Sequence, residues 1–129
     1  MKVLVVSHGS FAKSLVETGA MITGFNNASD FFILDSDKNI AEYENEIFTY
    51  FEDYNDDILV LADIQGGSPF NTVLKLIRQS SRSNIYIITG INLPLYIEIV
   101  SLIKFDNSNL TQIVEQIKSI KDSSIKFIN

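Results

Sequence analysis

Residues 58–71 read ILVLADIQGGSPFN and contain the signals of a complete strand–loop–helix unit. Ile58 to Ala62 is an unbroken apolar run, the pattern of a strand covered on both faces. Asp63 ends the run, where a carboxylate is costly unless it is paired. Gly66 and Gly67 free the backbone, and their N–H groups can cradle an anion. Ser68 followed by Pro69 reads as an N-cap and a first helical turn. Phe70, Val73, Leu74 and Ile77 then recur at helical spacing.

The same unit recurs along the chain. Val3 to Val6, Phe31 to Leu34 and Ile85 to Ile88 are further apolar runs that do not alternate with polar residues. Between them lie segments of helical period. Phe11, Leu15, Val16 and Ile22 share one face, with Ser10 available as N-cap. Ile40, Ile47, Phe51 and Tyr54 mark a second helix, whose outer face carries Glu42, Glu46 and Glu52. Pro94 suits the first turn of a later helix packed through Leu95, Ile99 and Leu102. Leu110, Ile113, Val114, Ile117 and Ile120 form the clearest stripe, and Ile125 to Ile128 reads as a terminal strand. Strand and helix alternate throughout, which argues for an open α/β sheet of parallel strands with right-handed crossovers. No repeat, low-complexity tract or linker interrupts residues 1–129, so the chain reads as a single domain.

Composition narrows the chemistry. The chain has no cysteine and one histidine, which excludes disulfides, zinc-thiolate centres, iron–sulfur clusters, thiol nucleophiles and any site with two imidazole ligands. A net charge of −6 and a pI near 4.6 argue against nucleic acid, whose phosphates would meet a like-charged surface. No apolar run is long enough to span a bilayer and the first residues do not read as a signal peptide, so a cytoplasmic protein is expected.

In open α/β sheets ligands bind beyond the carboxyl ends of the strands. Ser7-His8-Gly9-Ser10 follows the first strand, Asp63 to Asn71 the third, and Thr89 to Pro94 the fourth. The second is followed only by Asp35-Ser36-Asp37. A histidine at a strand end is ordinarily a polar group satisfied by a neighbour, and Asp63 can serve simply to brace its loop. The surroundings of His8 favour chemistry. Gly9 allows close approach of another backbone, and Ser10 opens a helix whose N-terminus favours an anion. If the first and third strands are neighbours, Asp63 can accept a hydrogen bond from His8 Nδ1–H, which fixes the tautomer and leaves Nε2 as a nucleophile. The stretch is not the G-x-S-x-G elbow of serine hydrolases, and the chain has no G-x-G-x-x-G or G-K-[ST] phosphate loop. The acidic pairs Glu52-Asp53 and Asp56-Asp57 read as a solvated face.

Together, the histidine-glycine pair after the first strand, the run D-x-x-G-G-S-P-F-N at Asp63 to Asn71, and Gly90 to Leu95 resemble the IIA components of the mannose family of the bacterial phosphoenolpyruvate-dependent sugar phosphotransferase system. The resemblance implies a phosphocarrier. His8 would accept a phosphoryl group at Nε2 from the phosphohistidine carrier protein HPr and pass it to a IIB component, with membrane IIC and IID components acting downstream. It makes Asp63 the orienting partner and assigns Gly9, Ser10, Gly66, Gly67 and Ser68 to phosphoryl binding, with in-line transfer between two imidazoles and neither metal nor cofactor. Ile64 departs from members that carry threonine there, and Ser7 stands where threonine is common. The family's homodimers exchange a C-terminal strand, which gives Ile125 to Ile128 a purpose. The expected architecture is therefore a three-layer sheet of four parallel strands, order 2-1-3-4, with helices on both faces and a short C-terminal antiparallel edge strand exchanged in a dimer. The expected location is cytoplasmic, peripheral to a membrane transport complex. Three other readings share the fold: a regulatory module gated by phosphohistidine, the phosphoryl donor subunit of a dihydroxyacetone kinase, and a plain small-ligand binder. The G-G-S-P-F-N run favours the sugar-transport branch.

Overall fold

The four apolar runs form strands β1 (Lys2–His8), β2 (Asp30–Leu34), β3 (Ile58–Ala62) and β4 (Ile85–Thr89) in a computed structural model that describes residues 1–129. They make one sheet in the order β2-β1-β3-β4, with every pairing parallel, as expected. Parallel neighbours require crossovers, supplied by α1 (Phe11–Thr23), α2 (Ile40–Asp53) and α3 (Ser68–Gln79). After β4 come α4 (Leu93–Phe105), α5 (Leu110–Ile120) and a 3₁₀ turn at Lys121–Ser124.

The period-two geometry of a strand divides the core into two layers. Val3 and Val5 of β1, with Leu59 and Leu61 of β3, pack under α1, α4 and α5. Leu4 and Val6, with Ile58, Val60 and Ala62, pack on the opposite face under α2 and α3. Both central strands are thus sealed on both sides, which is why their sequences do not alternate. β2, at the sheet edge, is only half-buried from Phe31 to Leu34.

Several inward faces differ from the sequence expectation. In α1 the buried residues are Ala12, Leu15 and Gly19, while Phe11 and Ile22 are exposed. The small residues win because Gly19 lies against the ring of Tyr96 in α4, where any side chain would overlap the aromatic carbons. In α2, Tyr43 and Tyr50 join Ile47 and Phe51 inside, their hydroxyls bonded to the Phe32 carbonyl and the Asp30 carboxylate, and Ile40 is exposed. Tyr96 and Val100 in α4 and Leu76 in α3 are also buried.

The expected strand at Ile125–Ile128 is not formed within the single chain. Its residues pair with no strand, and Phe127 and Ile128 are 97% and 88% exposed. A strand needs a ladder to complete, and within the single chain this segment lies on none. No helix is long and apolar enough to cross a membrane.

The end of the sheet opposite His8 is tied by Arg82. Its guanidinium donates to the carbonyls of Phe51 and Tyr54, at the end of α2, and to that of Asp56, all at 2.7–2.8 Å. A cation at a helix C-terminus also complements the helix dipole. Arg82→Ala is expected to lower unfolding free energy by about 2 kcal/mol, because charged donors to carbonyls are lost together. Arg78→Ala, on an exposed face of α3, should stay within about 0.5 kcal/mol of the parent; urea denaturation of both variants checks the difference.

Candidate functional site

Beyond its last pairing with β3, Val6 with Ala62, β1 runs on through Ser7 and His8. The alternation that sends Val6 toward α3 turns Ser7 toward α1 and His8 back toward α3. Ser7 is fully buried, and its Oγ accepts the Ala12 N–H at 2.7 Å. It therefore supplies the cap at the start of α1 that Ser10 was expected to give. Ser10 has φ −84° and ψ 4°, not the extended geometry of a side-chain cap, and makes no capping bond. Gly9, at φ +54°, makes the turn between strand and helix, and its N–H donates to the Leu34 carbonyl at 2.8 Å.

Asp63 directly follows β3, and the β1–β3 pairing brings its carboxylate to His8. Oδ2 accepts two hydrogen bonds from this one residue, from the backbone N–H at 2.9 Å and from the ring at Nδ1 at 2.7 Å. Oδ1 accepts the Ile64 N–H at 2.8 Å. Because that donor is backbone, the bond does not depend on which side chain stands at position 64. Burial works to raise the Asp63 pKa, but the His8 backbone N–H, the His8 ring and the Ile64 N–H together hold it below 3.8, the ordinary aspartate value. Asp63 is thus ionised at neutral pH and can only accept, so the proton in the ring contact sits on Nδ1. The lone pair of the neutral imidazole is left on Nε2. The His8 side chain is 47% exposed and that of Asp63 14%, an open ring on a sheltered carboxylate.

The two glycines differ in conformation. Gly66 has φ +81°, which side chains rarely adopt, whereas Gly67 is extended at φ −76° and ψ 167° and is the N-cap of α3. Ser68 is therefore the first residue of α3 and not its cap, and its side chain makes no capping bond. The loop is held by Asn71, whose N–H donates to the Gly67 carbonyl at 2.9 Å and whose Nδ2 donates to the Gly66 carbonyl at 3.0 Å. A helix start leaves N–H groups without carbonyl partners. Here those of Gly67, Ser68 and Phe70 are available, Pro69 having none. Gly67 lies against the imidazole: a Cβ on it would stand 3.3 Å from His8 Nε2. The lone pair on Nε2 and the N-terminus of α3 are thus neighbours.

The structure brings His8, Asp63 and Gly67 into direct association, with Gly9, Gly66 and Ser68 alongside in sequence. Ser10 immediately precedes α1 and makes no bond to the histidine. The Gly90–Leu95 loop has a structural role, since Ile91 N–H bonds the Ala62 carbonyl and Asn92 caps α4 at Leu95. Asp35 closes its own turn onto the Asp37 N–H. No three His, Cys, Asp or Glu side chains are grouped as a metal site. Sequence reasoning missed the support given by Ser7 and Asn71. The signal for Asn71 was its place in the same loop motif; a buried hydroxyl at Ser7 has no signature in sequence.

The lowered Asp63 pKa makes a pH prediction. Between the folded and unfolded values the unfolded chain binds more protons, so this stabilisation is complete above the unfolded pKa and is lost as pH falls through the folded one. The Tm advantage of wild type over Asp63→Asn should shrink as pH falls below 3.8, the ordinary aspartate value. Parallel thermal melts across pH 2.5 to 7, as a rough range, check this.

Comparison with known proteins converges on one family. The family model described as PTS system fructose IIA component matches residues 2–118. The fructose-specific EIIA component of the PTS of Bacillus subtilis (strain 168) is 28% identical over 130 residues, covering 98% of this chain and 85% of that protein. Among solved structures, the PTS IIA protein associated with the fucose utilization operon of Streptococcus pneumoniae is 32% identical, with a TM-score of 0.69 and coverage of 95% of this chain and 94% of that one. The mannose/sorbose-specific IIA subunit of Enterococcus faecalis shares the fold at a TM-score of 0.84 and 22% identity, covering 99% and 94%. With a matched region that includes every loop of the candidate site, this chain belongs to the mannose-family IIA components of the sugar phosphotransferase system.

Proposed function

We propose that the chain is a phosphocarrier in which His8 Nε2 receives a phosphoryl group from phospho-HPr and passes it to a IIB component during sugar uptake. The observation that carries this reading is the 2.7 Å contact between His8 Nδ1 and an ionised Asp63, with Nε2 beside the start of α3. In the transfer, the Nε2 lone pair attacks phosphorus in line as the P–N bond to the donor imidazole breaks, and the donor ring keeps the released electron pair. The His8 ring retains its Nδ1 proton and becomes cationic, and the Asp63 carboxylate balances that charge. The same proton keeps His8 a good leaving group for the onward step. Gly9, Gly66, Gly67 and Ser68 form the rim, and the unpaired N–H groups at the start of α3 are oriented donors for phosphoryl oxygens. Ser10 belongs to this rim through its position at the start of α1. No metal or nucleotide enters the reaction.

The partners follow from the role: HPr as donor, IIB as acceptor, and membrane IIC and IID components reached only through IIB, with the protein cytoplasmic and peripheral to that complex. A homodimer with exchanged C-terminal segments is part of the same reading. It is supported by two complementary features, the unpaired edge of β4 and the exposed run Ile125, Phe127 and Ile128. Removing residues 125–129 should convert a dimer to a monomer in sedimentation velocity; unchanged mass would remove the tail from the interface.

Incubation with phosphoenolpyruvate, enzyme I and HPr is expected to add one acid-labile phosphate, which IIB then removes. His8→Ala should take up none, and label persisting in that variant refutes the assignment. Asp63→Ala should slow transfer by on the order of 10²-fold, since the ring loses both its orientation and its counter-charge. Stopped-time labelling measures this, and unaltered kinetics would take Asp63 out of the mechanism.

A further inference from the structure

The Gly66-Gly67 pair invites the reading that both residues supply flexible backbone, but only one has a conformation that demands glycine. Gly66 lies at φ +81° with open space around its missing Cβ. Gly67, at φ −76° and ψ 167°, has a backbone that any residue adopts. What Gly67 lacks is room. A Cβ there would stand 2.6 Å from His8 Cε1 and 3.3 Å from Nε2, with Ile64 Cγ1 at 3.2 Å. The Cε1–Nε2 edge of the imidazole rests on the bare Cα of residue 67. On the other side of Cε1, the adjoining Nδ1 is held by Asp63, which is itself fixed by the His8 and Ile64 N–H groups.

We propose that Gly67 is a positioning residue for His8: its missing side chain forms the slot that seats the imidazole with Nδ1 on Asp63 and Nε2 at the start of α3. A methyl group at 67 has two ways out. The ring can swing away from the slot and lengthen its bond to Asp63, or the α3 start can retreat and leave Nε2 without its donors. Either way the geometry needed for transfer is lost while the fold around it stands. The kinetic consequence rests on the phosphocarrier reading; the structural claim does not.

The test compares wild type, Gly67→Ala, His8→Ala and the double variant. In the unphosphorylated protein, ¹⁵N shifts of the His8 ring should report the Nδ1–H tautomer in wild type and move toward those of free histidine in Gly67→Ala. Wild-type ring shifts in Gly67→Ala together with a wild-type kcat would overturn the proposal, since a retreat of the α3 start would leave the shifts unchanged but still slow transfer. Thermal melts give the second arm. Gly67→Ala should lower Tm with His8 present and clearly less in the His8→Ala background, where the ring is gone. An equal loss in both backgrounds would locate the strain elsewhere and overturn it. If Gly67→Ala does not fold alone, folding of the double variant supports the slot, and failure of the double while His8→Ala folds overturns it. With phospho-HPr as substrate, Gly67→Ala should lose about tenfold or more in kcat while KM stays within about twofold, because the ring is misplaced and the docking surface is intact. A wild-type protein that takes up no phosphate would remove the transfer reading and leave the tautomer and melting results to decide the slot.

Discussion

The Asp63 carboxylate is the constraint on which the site depends. It joins the ends of the two central strands by accepting both the backbone N–H and the ring of His8. The backbone bond fixes where the histidine leaves β1, and the ring bond fixes how the imidazole turns. Ile64 N–H occupies the other oxygen, so the carboxylate cannot rotate to serve a different partner without losing a bond. Partial burial alone would push the group toward its neutral form, and the donors reverse that tendency. An ionised carboxylate in turn determines which ring nitrogen is protonated, and so which is free.

That local geometry is inherited from the sheet. Parallel pairing of β1 with β3 sets Val6 beside Ala62, and Asp63 N–H bonds the Val6 carbonyl one step further on. The alternation of side chains then divides adjacent residues between opposite faces: Ser7 secures α1 and His8 faces α3. A shift of register by one residue would exchange them and bury the imidazole under α1. The apolar sequences of both strands, sealed by two separate core layers, are what hold that register.

Much of this was legible in the sequence because the strands and the parallel crossovers leave strong signals. Unbroken apolar runs identified all four strands, and glycine with small polar residues marked where the loops collect. The D-x-x-G-G-S-P-F-N run carried the resemblance and joined His8 to Asp63 across 55 positions in the chain. What was illegible depends on side-chain packing between distant elements. Phe11 and Ile22 fit a helical stripe but lie outside, because Tyr96 from α4 occupies the face of α1 where Gly19 leaves room. Ser10 and Ser68 have the right residue type for caps, yet Ser7 and Gly67 hold those functions, since capping depends on backbone angles that residue identity does not fix. The terminal run Ile125–Ile128 has strand composition without an intramolecular partner, and composition cannot say where a partner comes from.

The most direct test of the account is the identity of the ring nitrogen that carries phosphorus. ¹⁵N–³¹P NMR of protein labelled at histidine and phosphorylated by the HPr relay distinguishes the two positions. The geometry predicts phosphorus on Nε2 of His8, with Nδ1 still protonated toward Asp63. Phosphorus on Nδ1, or on any other residue, would contradict it.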